Sequence, residues 1–342
     1  MRWMVFGVLL GAQVVSAQAP VLVLPDASPR AKSSQQVGLT EIEVAYHRPA
    51  VKGRKVWGGL VPYGKVWRAG ANENTVVTFS TPVSVGGTVL PAGQYGLHML
   101  PTATDCTVVF SSQSHAWGSY TYDPKEDLAR LQVTPVPTEP TERLLYTFDD
   151  PTDNSVTLSL RWGALRVPIK LEVDTKQVVV RSLRDQLRGM QQFFPEGWAV
   201  AAGWCLRNDV NLDEALVWAD RSIALRGTFS GFNIKAALLE KKGDSQGAET
   251  FRAKALTVAT EAEVNQAGYQ LLGQNKVDAA IALFQRNVKD HPDSWNVYDS
   301  LAEAFAVKGD KAQAIANYQR AFEMVKQQDQ RTRIQEELAK LK

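Results

Sequence analysis

HRPAVKGRKVWGGLVPYGKVWRAGANEN, residues 47–74, is the stretch on which the reading of this fold turns. It is too long, and too rich in Gly, Pro and charge, to be one strand or one helix. It nevertheless carries Trp57 and Trp67, which cost free energy if left in water. Disordered segments lack the apolar groups that offset ordering entropy, so the tryptophans mark an ordered loop folded over a scaffold. Both flanks read as strands. Before it, Leu39, Ile42, Val44 and Tyr46 approximate the two-residue alternation of a half-buried strand. After it, β-branched and aromatic runs recur over residues 75–79, 95–100, 107–110, 129–136, 144–148, 156–162 and 165–173. Residues 83–85, Gly86-Gly87 and residues 88–90 form a hairpin signal, and Pro82 marks the piece that follows it as an edge. Short strands with regular turn signals and no helical period between them indicate an antiparallel β-sandwich, placed at residues 37–174. Residues 20–36, with Pro20, Pro25 and Pro29, read as an extended leader into it.

The period changes near Thr175. Residues 175–195 read as a linker helix, with Leu183 and Leu187 on one face. Residues 196–342 read as helical repeats. One unit has Tyr298, Leu301, Ala302, Phe305, Gly309, Ala314, Tyr318 and Ala321. The unit before it has Val264, Ala267, Gly268, Leu271, Asn275, Ala280 and Phe284, 34 residues earlier at corresponding positions. Small residues where two helices cross, beside large ones, at this period resemble the tetratricopeptide repeat. Two weaker units precede, one through Phe232, Ala236, Leu239 and Ala248, the other through Ala199, Ala202, Ala215 and Ala219. Arg252 stands where the pattern wants an aromatic, so the Phe232 unit is degenerate. Ile334, Leu338 and Leu341 mark a polar closing helix that covers the last repeat. The fold class is therefore multidomain, an antiparallel β-sandwich followed by an α-helical tetratricopeptide-like array.

At 342 residues, 44% hydrophobic and 22% charged, the composition is that of an ordinary globular protein. A formal charge of +2 gives no reason to expect nucleic acid or an acidic membrane as a partner. Residues 1–19 read as a signal peptide: Arg2, an apolar run from Trp3 to Leu10, and small residues that allow cleavage after Ala17 or Ala19. The run is too short to span a bilayer, so an exported chain, periplasmic or secreted, with no membrane span after processing, is expected. The two cysteines, Cys106 and Cys205, form no CxxC pair and read as separately buried thiols.

Several motifs of the β part occur in one order: SPRAKSSQQVGLTEIEVAYHRP, VKGRKVWGGLVPYGKVWRAGANENT, LPAGQYGLHMLP, TVVF, WGSYTYDPKEDLARLQV and SLRWG. Over Ser28 to Val173 they resemble the exported bacterial family catalogued as domain of unknown function 2911. The resemblance implies a β-sandwich followed by helical repeats and no established reaction. Cys106 departs from it, because the family tends to have an aromatic immediately before TVVF.

Residues 67–74, WRAGANEN, place a guanidinium, two carboxamides and a carboxylate beside an indole. Arg grips carboxylate or phosphate with two prongs, and Trp stacks on a sugar ring. The ligand-binding candidates are Trp67, Arg68, Asn72, Glu73, His98, Trp117, Tyr120 and Asp123. The competing structural reading has Arg68 and Glu73 paired with each other, or with backbone carbonyls, to brace the loop. His47, His98 and His115 lack metal-motif spacing, and no metal or cofactor is expected. No GxSxG, HExxH or GxxxxGK[ST] occurs.

The leading expectation is a non-enzymatic binding or scaffold protein. The β domain would take a small polar or carbohydrate-like ligand. The repeats would take an unidentified protein or peptide through Asn233, Asn265, Gln266, Asn296 and Asp299, expected as exposed groove positions. The alternatives are a hydrolase among Arg68, Glu73, His98, Trp117 and Asp123, and a purely structural envelope protein.

Overall fold

The computed structural model describes residues 24–341, and the expected signal peptide lies outside them. The described residues form ten strands and then ten α-helices, and divide into two compact units between Val178 and Val179.

The strands are β1 (Arg30–Val37), β2 (Thr40–His47), β3 (Thr75–Phe79), β4 (Val83–Val85), β5 (Thr88–Leu90), β6 (Gly93–Pro101), β7 (Cys106–Ser111), β8 (Asp127–Val133), β9 (Val136–Asp149) and β10 (Ser155–Glu172). They make two antiparallel sheets, one in the order β1-β2-β3-β6-β7-β8 and the other β5-β4-β10-β9. Alternation explains the core. In β2, Ile42, Val44 and Tyr46 are buried while Glu41 is exposed and Glu43 and Ala45 are half-buried. Each large side chain so buried contributes roughly 1.5–3 kcal/mol.

Residues 156–162 and 165–173, which read as two strands, are the single strand β10. Its buried apolar residues have even numbers up to Trp162 and odd numbers from Val167 onward. The register with β9 shifts on both sides of Gly163, whose φ of +60° suits the bulge. That bulge switches the parity, so both halves of the strand keep their apolar residues on the core.

Two further readings need correction. Residues 30–36 are not leader but most of β1, paired with β2 from Arg30↔His47 to Val37↔Thr40. An edge strand held by main-chain pairing needs little apolar signal, and its inward positions include only Ala31, Ser33 and Gln35 before Val37. Pro82 does not make β4 an edge: β4 lies between β5 and β10. The proline sits outside the strand, so no ladder donor is lost.

The loop between β2 and β3 is pinned at both the main chain and the side chains. Trp67 exchanges two backbone hydrogen bonds with Met99 of β6, each 2.8 Å. Its ring stacks on Trp162 of β10 at 5.8 Å and meets Trp57 edge-on at 5.9 Å. Trp57 Nε1 donates to the Trp162 carbonyl at 3.1 Å. Val56, Val61 and Ala69 are buried in the sandwich core. The Ala69 carbonyl accepts from Tyr146 Oη at 2.9 Å and Thr75 Oγ1 at 3.1 Å. The loop therefore has ordering contacts to both sheets.

In the helical part, α1 (Thr175–Gln186) is shorter than the linker read at 175–195, and a 3₁₀ turn at Met190–Phe193 follows it. The array then pairs α2 (Pro195–Asn208) with α3 (Leu212–Leu225), α4 (Phe229–Lys241) with α5 (Ser245–Val258), α6 (Glu261–Gly273) with α7 (Val277–Asp290), and α8 (Trp295–Lys308) with α9 (Lys311–Met324). The closing helix α10 (Gln328–Leu341) buries Ile334. Gly268 shows why small residues mark the crossings: a Cβ there would lie 2.4 Å from the Phe284 ring. In the degenerate unit the neighbouring Phe251 faces Phe232 at 6.2 Å, while Arg252 pairs with Glu240 at 2.9 Å.

Candidate functional site

On β2 and β3, Glu43, Ala45, His47, Val76 and Thr78 face away from the sandwich core. Lys32, Ala45, Val76 and Gly96 stand side by side across β1, β2, β3 and β6. With only a methyl at Ala45 the row is low beside Lys32, and Gly96 at its far end carries no side chain. The segment after β7 closes one side. A Cβ on Gly96 would sit 2.2 Å from the Gln113 carbonyl, so only glycine lets that segment cross the sheet here. Asn74 ties it down, its backbone N–H donating to Ala116 O at 3.2 Å and its Nδ2 to Gln113 O at 3.3 Å. The result is an open cavity of about 380 Å³, walled by His47, Glu73, Asn74, Ser114 and His115.

Its charges are nearly balanced. Lys32 and Glu43 pair at 2.8 Å. His47 Nε2 lies 3.4 Å from a Glu73 oxygen and 3.9 Å from Asp26. Asn72 Nδ2 donates to the same Asp26 at 2.7 Å. Two carboxylates thus stand beside Nε2, while Nδ1 on the far side of the ring donates or accepts according to the tautomer. Nδ1 is buried with no partner, and so is Asn74 Oδ1. An unpartnered buried acceptor costs about 1–3 kcal/mol.

The other sequence candidates fall around this cavity without all meeting in it. Trp67 is a core anchor rather than a ligand platform, because both its ring and its Nε1–H, which donates to Gly70 O at 3.1 Å, are engaged. Arg68 and Glu73 do not brace each other: Glu73 faces His47, and the Arg68 guanidinium lies 5.9 Å from the centroid of Trp117. Trp117 follows the wall residue Ala116 in the chain and stacks with Tyr120 at 6.0 Å, both rings exposed. Asp123 caps the 3₁₀ turn Pro124–Glu126 by accepting from Lys125 N.

His98 is 2% exposed on β6. Its Nδ1 is 3.0 Å from Ser119 Oγ, and its ring lies 5.2 Å from Tyr122. Burial lowers its pKa below the ordinary 6.5, and the charge of Asp127 opposes that shift. Asp127 itself accepts from Tyr122 Oη at 2.7 Å and Arg130 Nη1 at 2.5 Å. His98 is thus a neutral, hydrogen-bonded residue beneath the loop. Among the described residues no group of three or more His, Cys, Asp or Glu side chains is arranged to hold a metal ion.

Cys106 and Cys205 are both free and buried, and burial pushes their thiols up to about 12 and about 11. In the repeats, Asp299 departs from the exposed groove expectation. It is 5% exposed, because Arg333 of α10 donates to its Oδ2 at 2.5 Å. Burial raises its pKa, and the Arg333 charge opposes the rise. Asn296 Nδ2 donates to Glu261, Asn233 and Asn265 are half-buried, and Gln266 is exposed.

The geometry defines a two-part chain, a β-sandwich followed by a tetratricopeptide-like helical array. Residues 28–171 match the family model described as "Protein of unknown function (DUF2911)". Among solved structures the chain is similar to MamA from Desulfovibrio magneticus RS-1, at 18% identity over 45% of this chain and 84% of that one, with a TM-score of 0.28. It is also similar to PilF of Pseudomonas aeruginosa, at 16% identity over 43% and 67%, with a TM-score of 0.28. A third is YrrB, described as a TPR protein with an unusual peptide-binding site, at 14% identity over 42% and 75%, with a TM-score of 0.26. No curated protein matches. Among the described residues no helix is long and apolar enough to cross a membrane.

Proposed function

We infer that this is an exported, non-enzymatic binding protein whose β domain takes a small polar ligand in the cavity between His47, Glu73, Asn74 and His115, while its repeats take a protein or peptide partner. The cavity carries the reading. Its volume of about 380 Å³ lies in the range of small-molecule sites, and its wall residues carry two polar atoms, His47 Nδ1 and Asn74 Oδ1, that nothing among the described residues satisfies. Both atoms are shielded from solvent. A hydroxyl both donates and accepts, so hydroxyl-rich molecules of the carbohydrate kind can answer Asn74 Oδ1 and either tautomer of His47.

The test is calorimetric titration of the full-length protein with neutral mono- and disaccharides, beside His47→Ala and Glu73→Gln. Binding that weakens about tenfold or more in either variant supports the reading, since losing one good hydrogen bond to a charged group costs that much. Binding unchanged in both variants, or no saccharide binding at all, rejects it.

A further inference from the structure

Arg68 makes no hydrogen bond or ion pair among the described residues, and its Nε is shielded from solvent without a partner. The carboxylates within reach in sequence are engaged elsewhere: Glu73 with His47, Asp123 with the Lys125 N–H, Asp127 with Tyr122 and Arg130. The backbone on either side of Arg68 is fixed, at Trp67 by the two bonds to Met99 and at Ala69 by Tyr146 and Thr75. The backbone that carries this unpaired guanidinium is therefore fixed, and the shielded Nε keeps the base of the group against the protein.

Its neighbours are the Trp117 ring and Gly118. A Cβ on Gly118 would lie 3.2 Å from Arg68 Nη1 and 3.1 Å from the Tyr120 ring, and φ there is +75°. Gly118 thus lets Arg68, Trp117 and Tyr120 gather around one backbone turn. Trp117 is 59% exposed and Tyr120 79%, with only 9° between the two stacked rings. Exposed aromatic faces cost free energy in water unless something covers them.

We propose that Arg68, Trp117 and Tyr120 form a ledge for a uronic acid residue of an acidic polysaccharide, the sugar ring lying on the aromatic faces and its carboxylate held by the guanidinium. This rests on the reading of the β domain as a binding module and adds a second, charged subsite to it. One guanidinium matches the single charge of a carboxylate, and its planar fork suits two-pronged capture. The exposure of both rings makes the ledge open at its sides, which fits a residue within a chain.

The test titrates the full-length protein with a short oligogalacturonide and with its methyl-esterified, uncharged counterpart. The acid is expected to bind about tenfold tighter than the ester, with a preference that fades as salt screens the contact. Arg68→Gln removes the preference, Arg68→Lys keeps part of it, and Trp117→Ala weakens both probes. Equal binding of acid and ester, an unchanged preference in Arg68→Gln, or no binding of either probe overturns the ledge. The two readings fail separately. Neutral sugars that respond to His47→Ala while the acid preference ignores Arg68 leave the cavity standing and remove the ledge.

Discussion

The loop over residues 48–74 and the helical array solve the same problem in opposite ways. The array repeats a local instruction: small residues at each crossing, large ones beside them, and a cap at many helix starts, such as Thr260 with its reciprocal Glu263 and Asp310 before α9. Its order is written within one period and multiplied. The loop has no repeating instruction. It is held by a few long-range contacts, above all Trp57 and Trp67 against Trp162 and the Ala69 carbonyl between Tyr146 and Thr75. Local periodicity and scattered anchors can produce equally ordered backbone, but damage spreads differently in the two.

The sharpest way to break this contrast is Trp67→Ala. It removes a stack, an edge contact and the packing of a large side chain, at a cost of about 3–5 kcal/mol to the β domain. Urea denaturation of the full-length protein, followed by tryptophan fluorescence, measures it. A loss below about 1 kcal/mol would mean that the backbone bonds alone order the loop. Next in size is Gly268→Ala, which forces the Phe284 ring aside for about 1–3 kcal/mol. Calorimetry should show the helical transition lowered and the sandwich transition unmoved. A shift of both would erase the distinction between the regions.

Much of the architecture was legible because it rests on periodicity. The strands of the core follow from alternation, and the last two helix pairs from small residues 34 apart, such as Gly268 and Ala302. What escaped was non-periodic. Arg30–Val37 gave little strand signal because main-chain pairing holds it at an edge. Residues 156–162 and 165–173 read as two strands because a bulge at Gly163 breaks the alternation without ending the strand. The candidate site was half legible. The residue types in WRAGANEN singled out Arg68 and Glu73, but not that they point to different neighbours. His47 joins Glu73 only because β2 ends beside β3's start, and the wall residues 113–116 come from a loop with no marked chemistry.

The smallest expected effect refines the comparison further, because the β domain carries a buried histidine under its loop. His98 has a folded pKa below its ordinary 6.5, so the unfolded chain binds the proton more readily. The neutral ring's contribution is complete above pH 6.5 and is lost as pH falls through the lowered folded value. The β transition should therefore weaken on mild acidification and His98→Gln should flatten that dependence. Thermal melts across the pH range decide this, and an unaltered slope in the variant would assign the acid sensitivity to another group.

The tie between Trp57 and Trp162 spans 105 residues of chain. A growing or refolding polypeptide can build the β1–β2 hairpin early, yet it cannot seat these indoles until β10 exists. Closure of so long a separation is slow relative to local turns. The loop that walls the cavity is thus among the last parts of the sandwich to settle, and the cavity is complete only when the whole β domain has been made.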